Sequence, residues 1–429
     1  MIKSLLSIIL IFLIFMSSSC SQVNNETSKF EVNKSHLDYL YQEITINNKP
    51  MGIIHIYSDY PSYKFVEAKG EGYACVDDAV RAALFYLEYF NTYSDSASLN
   101  KFDMLTNFVL HMQAANGFYY NFLESDNSIN KTYRTSLAEP NWWSWRALWL
   151  LTEAYRFYNE KDPARSKILI NSINKCVQAI KKSIPENQKT KTVDGIKISE
   201  WLPAGSGSDQ AALLVIALTN YYQFNCDKSI LPYISSLVKG ILMMQVNDEG
   251  SPVNGAFLSW ENTWHAWGNS QSYALLKYLK VIKNEKVKAC ALKELNNFYP
   301  YLFKNKFFSY FKLKSINGKI SELEKNKFSQ IAYDIRPMVF ALLEAYNITG
   351  KSQYAEEAGE IARWYTGHNP ANAIMYNKDN GIVFDGIIND SSLNKNSGAE
   401  STIETLWTLL KISQNRIALR KFLEEDGTN

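Results

Sequence analysis

The feature that most constrains the fold of this chain is a succession of helix-like segments along most of its length. From about residue 73, apolar residues recur at helical spacing, as Val76, Val80 and Leu84 do in the first segment, which places them on one helix face. Similar segments follow at 99–115, 141–159, 163–183, 207–225, 229–245, 263–281, 284–303, 330–348, 351–366 and 399–414. These eleven segments predict an all-α protein, with a twelfth helix degraded or supplied by the N-terminal region.

The connections between the segments indicate how the helices are arranged. Many gaps hold turn signals, such as EKDPARS (160–166) and NITGKSQ (347–353), and strand-like residues are confined to GIIHIYS (52–58) and FFSYFKL (307–313). No solenoid-type repeat is present. About a dozen helices in antiparallel pairs therefore predict a closed ring of hairpins, an (α/α)6 toroid with a few short strands. We expect functional residues on its longer loops, which gather at one end of the ring.

The N-terminus has the features of an export signal. MIKSLLSIILIFLIFMSSSC has a Lys, an apolar run and small residues, which fits a cleaved signal better than a membrane-spanning helix. We interpret residues 1–19 as a bacterial lipoprotein signal peptide, although Ser17 stands where such signals usually carry Leu. Residues 20–34 are predicted to be a lipidated Cys20 and a polar tether, and residues 35–429 a single domain. The expected location is the bacterial cell envelope, lipid-anchored at the periplasmic or outer-membrane surface.

The charge balance and the metal-ligand residues exclude several classes of partner. Removal of residues 1–19 deletes one of 45 basic residues, leaving 44 against 43 acidic ones and a net charge of +1. No basic block stands out, so a nucleic-acid partner is not expected. The remaining cysteines, at 75, 176, 226 and 290, and the five histidines, at 36, 55, 111, 265 and 368, lack metal-site spacing. We expect a monomer that binds carbohydrate and uses neither a metal nor a cofactor.

Two adjacent carboxylates, Asp77 and Asp78, open the first helical segment in GEGYACVDDAVRAA. The simplest explanation is that both are first-turn charges that favour the positive end of the helix dipole. However, adjacent carboxylates repel each other, which raises the pKa of one of them. Such a pair can hold a water molecule and accept a proton from it. Arg81, one helical turn later, could orient one member of the pair.

A third carboxylate, Glu400, stands where polar turn residues lead into an apolar segment in NSGAEST. It is either an ordinary first-turn charge or the proton donor of an enzyme. The polar loop that precedes it is long, and long loops are usually functional or disordered. The aromatic residues of this loop favour an ordered structure. We therefore regard four of the loop's side chains as candidate substrate contacts: Asn369, Tyr376, Asp385 and Asn396.

Aromatic residues make up 14% of the chain, either because the core is large or because rings stack on sugar faces. Several lie in motif loops beside polar residues, which is the combination that an oriented-ligand pocket requires. The candidate substrate-binding residues of these motifs are Tyr73, Glu139, Trp142, Trp143, Trp201, Trp264, His265 and Asn269. Asp334 and Arg336, just before Pro337 at a helix start, are further candidates, although pairing with each other is the simpler explanation.

Three motifs, GYACVDDAVRAA, WYTGHNPANAIMYNKDNGIVFDG and NKNSGAESTIETL, resemble those of bacterial six-hairpin (α/α)6 glycosidase-like proteins. Some of those proteins resemble domains found beside β-mannoside phosphorylases, and the resemblance covers about residues 70–414. More remotely, the motifs are similar to those of family 9 glycoside hydrolases, which are inverting enzymes. That similarity implies Asp77 and Asp78 in the base region, GHNP (367–370) as the late loop and Glu400 as the general acid. Ala399 replaces the family's Asn, and the Asp pair is contiguous rather than split.

These features together predict a glycoside hydrolase, of the inverting type, acting on a β-glucan or β-mannan polysaccharide or oligosaccharide. Inversion requires an acid and a base about 6.5–9.5 Å apart, and ring closure would bring the early and late motifs together. One alternative is a polysaccharide lyase acting on uronic-acid glycans, with His265, Tyr73 and Arg336 as its candidate groups. Another is a non-catalytic glycan-binding lipoprotein, for which aromatic platforms would suffice.

Overall fold

The computed structural model describes residues 30–424. A short helix, α1 (Ser35–Leu40), precedes six helical hairpins within this range. The first helices of the hairpins are α2 (Val76–Tyr93), α4 (Trp142–Tyr158), α6 (Ser208–Asn225), α8 (Gln271–Tyr278), α11 (Arg336–Thr349) and α13 (Ala399–Ser413). Their partners are α3 (Ser96–His111), α5 (Pro163–Ser183), α7 (Leu231–Met243), α9 (Glu285–Lys293), α12 (Ser352–Ala362) and α14 (Arg416–Phe422). A π-helical stretch, Glu294–Phe298, joins α9 to α10 (Tyr299–Lys304).

The first helices of the six hairpins form the inner wall of a closed ring. They contact one another in the order α2, α4, α6, α8, α11 and α13, and α13 packs back against α2. The second helices form the outer layer, each packed on its own hairpin partner. In α6 every residue from Ser208 to Tyr221 is buried, as expected for a helix enclosed on all sides. The predicted all-α fold and (α/α)6 toroid are confirmed.

Local sequence signals account for the hairpin turns. The Asp162 side chain caps α5 by accepting from the backbone N–H of Arg165, and Pro163 occupies the first turn, where its missing N–H costs nothing. Gly350 ends α11 with φ of 71°, a left-handed conformation that glycine adopts without a Cβ penalty. Helix α12 begins two residues later. Both turns agree with the sequence-based prediction.

Three predicted helical segments differ from the structure. The segment 263–281 contains strand β9 (Thr263–His265) and only the short helix α8, because Gly268 at φ of 70° breaks the chain direction. In the segment 330–348, helix α11 begins only at Arg336, with Pro337 in its first turn. The twelfth ring helix is α14 at the C-terminal end, packed on α12 and α13, rather than a helix from the N-terminal region.

The strands are short and form small antiparallel sheets. Two-stranded sheets pair β1 (Tyr41–Ile46) with β2 (Lys49–Ile54), β3 (Tyr57–Asp59) with β4 (Lys64–Val66), β5 (Ala74–Cys75) with β6 (Phe122–Leu123), and β7 (Thr190–Val193) with β8 (Ile196–Ser199). Three-stranded sheets have the orders β11 (Lys319–Asn326), β10 (Tyr310–Ile316), β9, and β12 (Gln330–Ile331), β13 (Gly386–Asn389), β14 (Ser392–Asn394). The strand-like stretches at 52–58 and 307–313 overlap β2, β3 and β10.

Residues 30–34, expected to belong to the tether, pack on the ring. The Phe30 ring meets Phe422 of α14 edge-on, with centroids 5.6 Å apart, and Val32 is buried. The backbone N–H of Asn33 donates to the Tyr376 hydroxyl at 2.9 Å. Cys20 and the predicted signal peptide lie outside the described residues. Within those residues, no helix combines the length and apolarity needed to cross a bilayer.

Candidate active site

A cavity of about 490 Å³ opens at the N-terminal ends of inner helices α2 and α13. The β5–β6 pair and the β12–β13–β14 sheet contribute to its wall. Its charged lining side chains are Glu71, Asp77, Asp78, Arg81, Asp385 and Glu400. Uncharged lining residues include Tyr57, Cys75, Asn121, Phe122, Tyr333, Ile388, Asn394 and Ser401. The early Asp pair and the late Glu therefore line one cavity.

Arg81 joins the early and late carboxylates. Its Nη2 lies 2.5 Å from Asp78 Oδ1, and its Nη1 lies 2.7 Å from Glu400 Oε2. The side chains of Arg81 and Asp78 are only 5% and 3% exposed, whereas that of Glu400 is 44% exposed. Because the two terminal nitrogens of a guanidinium are about 2.3 Å apart, these carboxylate oxygens are at most ~7.5 Å apart. The Arg81 guanidinium occupies the space between these two oxygens and so ties α2 to α13.

A second arginine, Arg146 on α4, holds the other aspartate. Its Nη1 lies 2.7 Å from Asp77 Oδ1, and its Nη2 donates to the Tyr333 hydroxyl at 2.7 Å. The Asp77 side chain is 19% exposed and is more accessible than Asp78. No other described residue provides a hydrogen-bond partner for its second oxygen, Oδ2. Asp77 is therefore the aspartate better placed to reach a water molecule in the cavity.

The motif SLAEPNWWSWRALWLLTEAY contains Arg146, but neither Arg146 nor Tyr333 is among the site residues predicted from the sequence. The position of Arg146 could have identified it. It follows the helix start at Trp142 by four residues, much as Arg81 follows the helix start at Val76 by five. For Tyr333 there is no such signal, because it lies in a short 3-10 helix (Ala332–Asp334) before α11. The three guanidinium groups of Arg81, Arg146 and Arg336 lie 5.3, 5.7 and 5.3 Å from its ring centroid.

Below the cavity, the ion pairs continue into the ring interior. Glu404, one turn after Glu400 on α13, is fully buried, lies 3.3 Å from Arg81 and pairs with Arg336. The expectation that Arg336 pairs with Asp334 is wrong. Asp334 instead accepts a hydrogen bond from the backbone N–H of Ile331 at 2.9 Å. Arg336 is 1% exposed, so it holds the site together from behind and does not contact a substrate.

Three carboxyl groups near Glu400 have raised pKa values. Burial is the main cause for Asp78, whose pKa is raised even though Arg81 favours its charged form. Burial also raises the pKa of Asp385, and raises that of Asp334 well above its usual range. In each case the negative charge of Glu400 adds to the effect. The carboxyl groups around Glu400 therefore retain protons to higher pH than exposed carboxyl groups do.

The loop before α13 is ordered by its own polar side chains. Asp385 lines the cavity and accepts from the Gly398 N–H at 2.8 Å and the Ser401 hydroxyl at 2.5 Å. Asn369 is buried and donates to two backbone carbonyls of the loop, and Asn396 bonds to Asp59. Tyr376 accepts from Asn33. Of the four loop candidates, only Asp385 lies on the cavity, and the other three fix the loop.

Most of the candidate aromatic platforms are core residues. Trp143, Trp201 and Trp264 are 4%, 1% and 2% exposed. Their burial has clear partners, since the Trp143 and Trp201 indoles donate to backbone carbonyls and Trp264 stacks on Phe311. These three rings are not available to a ligand, which corrects the prediction. The rings on the cavity wall belong to Tyr57, Phe122 and Tyr333 instead.

The remaining candidates lie outside the cavity lining. Trp142 is half-buried and lies over the Arg146 guanidinium, 5.2 Å from ring to cation. His265 contacts Asp209 at 3.0 Å and the Trp267 carbonyl at 2.8 Å. The other three are Tyr73, whose hydroxyl donates to Asn127, the exposed Glu139, and the buried Asn269. Within residues 30–424, no group of three or more His, Cys, Asp or Glu side chains is arranged to hold a metal ion.

The cavity has a predominantly acidic lining. Arg81 is its only basic lining residue among those described, and both terminal nitrogens of Arg81 are bound to carboxylates. Arg146, just behind the wall, is likewise occupied by Asp77 and Tyr333. A substrate carboxylate would therefore meet repulsion and no free cation, whereas sugar hydroxyls would meet many acceptors.

Several solved structures share this architecture. A sugar epimerase from a ruminal bacterium matches 92% of this chain and 98% of its own, with a TM-score of 0.64 and 11% identity. This places the chain among (α/α)6 toroids. Cellobiose 2-epimerase from Bacillus thermoamylovorans matches 93% and 99%, with a TM-score of 0.63 and 13% identity.

A family 76 glycoside hydrolase from a bovine Bacteroides thetaiotaomicron strain matches 88% of this toroid and 76% of its own chain, with a TM-score of 0.54 and 13% identity. No protein-family model matches the sequence, and no curated protein matches it. Identities this low establish the fold alone. The association with proteins found beside β-mannoside phosphorylases stays a prediction.

Proposed function

We propose that the protein is a glycoside hydrolase that acts on a neutral polysaccharide or oligosaccharide of β-glucan or β-mannan type. The observation that carries the proposal is the Arg81 bridge, which ties Glu400 to Asp78 in a cavity that Asp77 also lines. Glycoside hydrolysis needs two carboxyl groups on opposite sides of the scissile bond. Sugar-processing activity of proteins with this fold, including the family 76 hydrolase, supports the proposal.

We propose a different role for each of the three carboxylates. Glu400 is the most exposed of them and sits at the start of α13, so it is the group that can protonate the leaving oxygen. Asp77 has an oxygen not engaged by Arg146 and serves as the base that activates water. Asp78 is buried against Arg81 and Cys75 and positions Arg81. Water attack from the face opposite the acid gives inversion.

The acidic lining argues against the lyase alternative. Elimination from a uronic-acid chain requires a cation that neutralises the substrate carboxylate, and Arg81 and Arg146 are already paired. Of the groups considered for a lyase, Arg336 is buried, and neither His265 nor Tyr73 is among the residues that line the cavity. A neutral glycan fits these charges better than an anionic one.

The test is release of reducing sugar from soluble β-glucans and β-mannans. We expect turnover by the wild-type protein and a loss of about 10³-fold or more in Glu400→Gln, because proton donation in the transition state is removed. Glu356→Gln, an exposed change of the same type on α12, is the matched control. Proton NMR of the first product from a β-linked substrate should show the α-anomer.

Two outcomes would overturn the proposal. Glycan affinity without turnover, unchanged in Asp78→Asn combined with Glu400→Gln, would instead identify a glycan-binding protein. An unsaturated product absorbing in the ultraviolet would identify a lyase.

We also propose that Cys20 is lipidated and anchors the protein in the cell envelope. Detergent-phase partitioning of the full chain, compared with Cys20→Ala, tests the anchor separately.

A further inference from the structure

A second cavity, of about 600 Å³, lies at the opposite end of the ring. It is lined by the C-terminal parts of inner helices α2, α4 and α13, by Tyr273 and Lys277 of the short α8, and by Phe340 of α11. Its aromatic lining residues are Trp149, Tyr273, Phe340 and Trp407, and its charged ones are Glu88, Glu153, Arg156, Lys277 and Lys411. None of these residues belongs to the candidate active site.

A layer of aromatic rings and a buried ion pair separate the two cavities. The Trp149 and Trp407 rings lie 5.7 Å apart, and Phe340 meets Trp407 edge-on at 5.1 Å. The Arg336 guanidinium, paired with Glu404, lies 5.1 Å from the Trp407 ring. The second cavity therefore has its own closed floor and is not a continuation of the first.

Three hydrogen-bond donors on this cavity have no acceptor among the described residues. They are the Trp149 indole N–H, the Tyr273 hydroxyl and the Lys277 ammonium, all of which line the cavity. Tyr273 and Lys277 are four residues apart on α8, so their side chains lie side by side on one helix face. Burial lowers the pKa of Lys277. Donors that converge on one space favour a ligand with acceptor oxygens.

The carboxylates of the cavity do not serve as these acceptors. Glu88 accepts from the Trp407 indole at 2.8 Å and pairs with Lys411. Glu153 accepts from the Asn220 amide at 2.9 Å, and Arg156 lies 3.8 Å from it. Both acids are thus engaged elsewhere. Glu344, a further carboxylate whose charge acts on Tyr273 and Lys277, pairs with Lys280 at 2.7 Å. Among the described residues, Lys277 is therefore the basic lining residue that has no carboxylate within ion-pair distance.

The helix dipole explains only part of this arrangement. Arg156, Lys277 and Lys411 stand in the last turns of α4, α8 and α13, where cations are favoured. The dipole does not account for a tyrosine hydroxyl and an indole N–H that face the same cavity without an acceptor. All three donors are open to the cavity, so a ligand with acceptor oxygens can replace water on each of them.

We propose that this second cavity binds a small organic anion through one carboxylate or phosphate group. The oxygens of that group accept from Trp149, Tyr273 and Lys277, and the Lys277 ammonium balances the charge. An aromatic floor and flanking polar residues, Asn91 and Gln414 among them, accommodate the rest of the molecule. The binding does not depend on glycan hydrolysis at the first cavity.

Isothermal titration calorimetry of the full chain with inorganic phosphate and, separately, with glucuronate tests the site. We expect saturable binding of at least one probe, weakened tenfold or more in Lys277→Met, which keeps the aliphatic stem but loses the charge-assisted hydrogen bond. Tyr273→Phe should weaken it by a smaller factor. Comparing the two probes distinguishes a phosphate ligand from a carboxylate ligand.

Lys283→Met, a change of the same charge at an exposed position outside the cavity, is the matched control and should bind as the wild type does. Binding that is equal in Lys277→Met and Lys283→Met would overturn the proposal, as would the absence of saturable heat with both probes. Circular dichroism of each variant confirms that it is folded. Titration of Glu400→Gln separates this result from the proposed hydrolase activity, because anion binding should persist there.

Discussion

Glu404→Gln tests whether the buried ion chain behind the site stabilises the fold. Glu404 is fully buried and pairs with Arg336, itself 1% exposed. The substitution keeps the shape of the side chain and removes its charge, so the Arg336 cation loses its carboxylate partner inside the ring. Arg81 keeps Asp78 and Glu400. The destabilisation therefore comes mainly from one orphaned guanidinium.

The expected loss is about 3–5 kcal/mol in the free energy of unfolding, which is typical of a buried pair that loses one partner. Since unfolding entropy is about 2.1 cal/mol/K per residue, a chain of this size has ~0.8 kcal/mol/K in total. The unfolding midpoint should therefore fall by about 4–6 °C. Differential scanning calorimetry at neutral pH measures both quantities.

The control is Glu424→Gln, which breaks the exposed pair with Lys421 and should change the unfolding free energy by less than about 1 kcal/mol. Combining Glu404→Gln with Arg336→Met removes the orphaned charge as well and should recover part of the loss. If Glu404→Gln melted at the same temperature as Glu424→Gln, the argument from an uncompensated buried charge would be refuted.

Three further predictions concern other parts of the ring. His36→Ala removes the 2.9 Å contact with the carbonyl of Ser397, which lies three residues before Glu400. For the proposed hydrolase we expect kcat to fall about tenfold with little change in KM, the equivalent of about 1.4 kcal/mol for one hydrogen bond. Initial-rate kinetics, with His36→Gln as partial rescue, checks this. Burial raises the pKa of Glu294 from 4.5 to about 7. Because the folded-state pKa is the higher one, stability falls as pH rises from about 4.5 through 7. Glu294→Gln should remove up to about 3 kcal/mol of that dependence, seen by urea unfolding at pH 5 and 8. The exposed Cys226 should react with a thiol reagent well before Cys75, which is buried and has a raised pKa; mass spectrometry of the labelled peptides decides.

The ring was predictable because its signals are local. Apolar spacing, the Asp162–Pro163 start and the Gly350 stop each act within one or two turns, and together they define hairpins. The short strands and the late start of α11 depend on pairing between distant segments, such as Gln330 with Ile387. Local periodicity contains no information about such pairs.

In the candidate site, too, residues marked by local sequence signals were predictable, whereas residues placed by contacts between distant segments were not. Asp77, Asp78 and Glu400 were identified from their positions at helix starts, and the structure brings Asp78 and Glu400 together through Arg81. Trp201 and Trp264 could not be placed, because a tryptophan in a polar loop can turn either into the core or toward solvent. Tyr333 could not be found either, since its role depends on an arginine 187 positions earlier in the chain.

The contact between Arg81 and Glu400 spans 319 positions of the chain, so the candidate site joins the first inner helix to the last. Contacts over such separations form late in folding, because long loops must close first. Because the chain is synthesised from its N-terminus, Asp77 and Asp78 are already present before Glu400 has been synthesised. A fragment ending before residue 399 would lack Glu400 and the last hairpin, so the candidate site is complete only once the final inner helix is present.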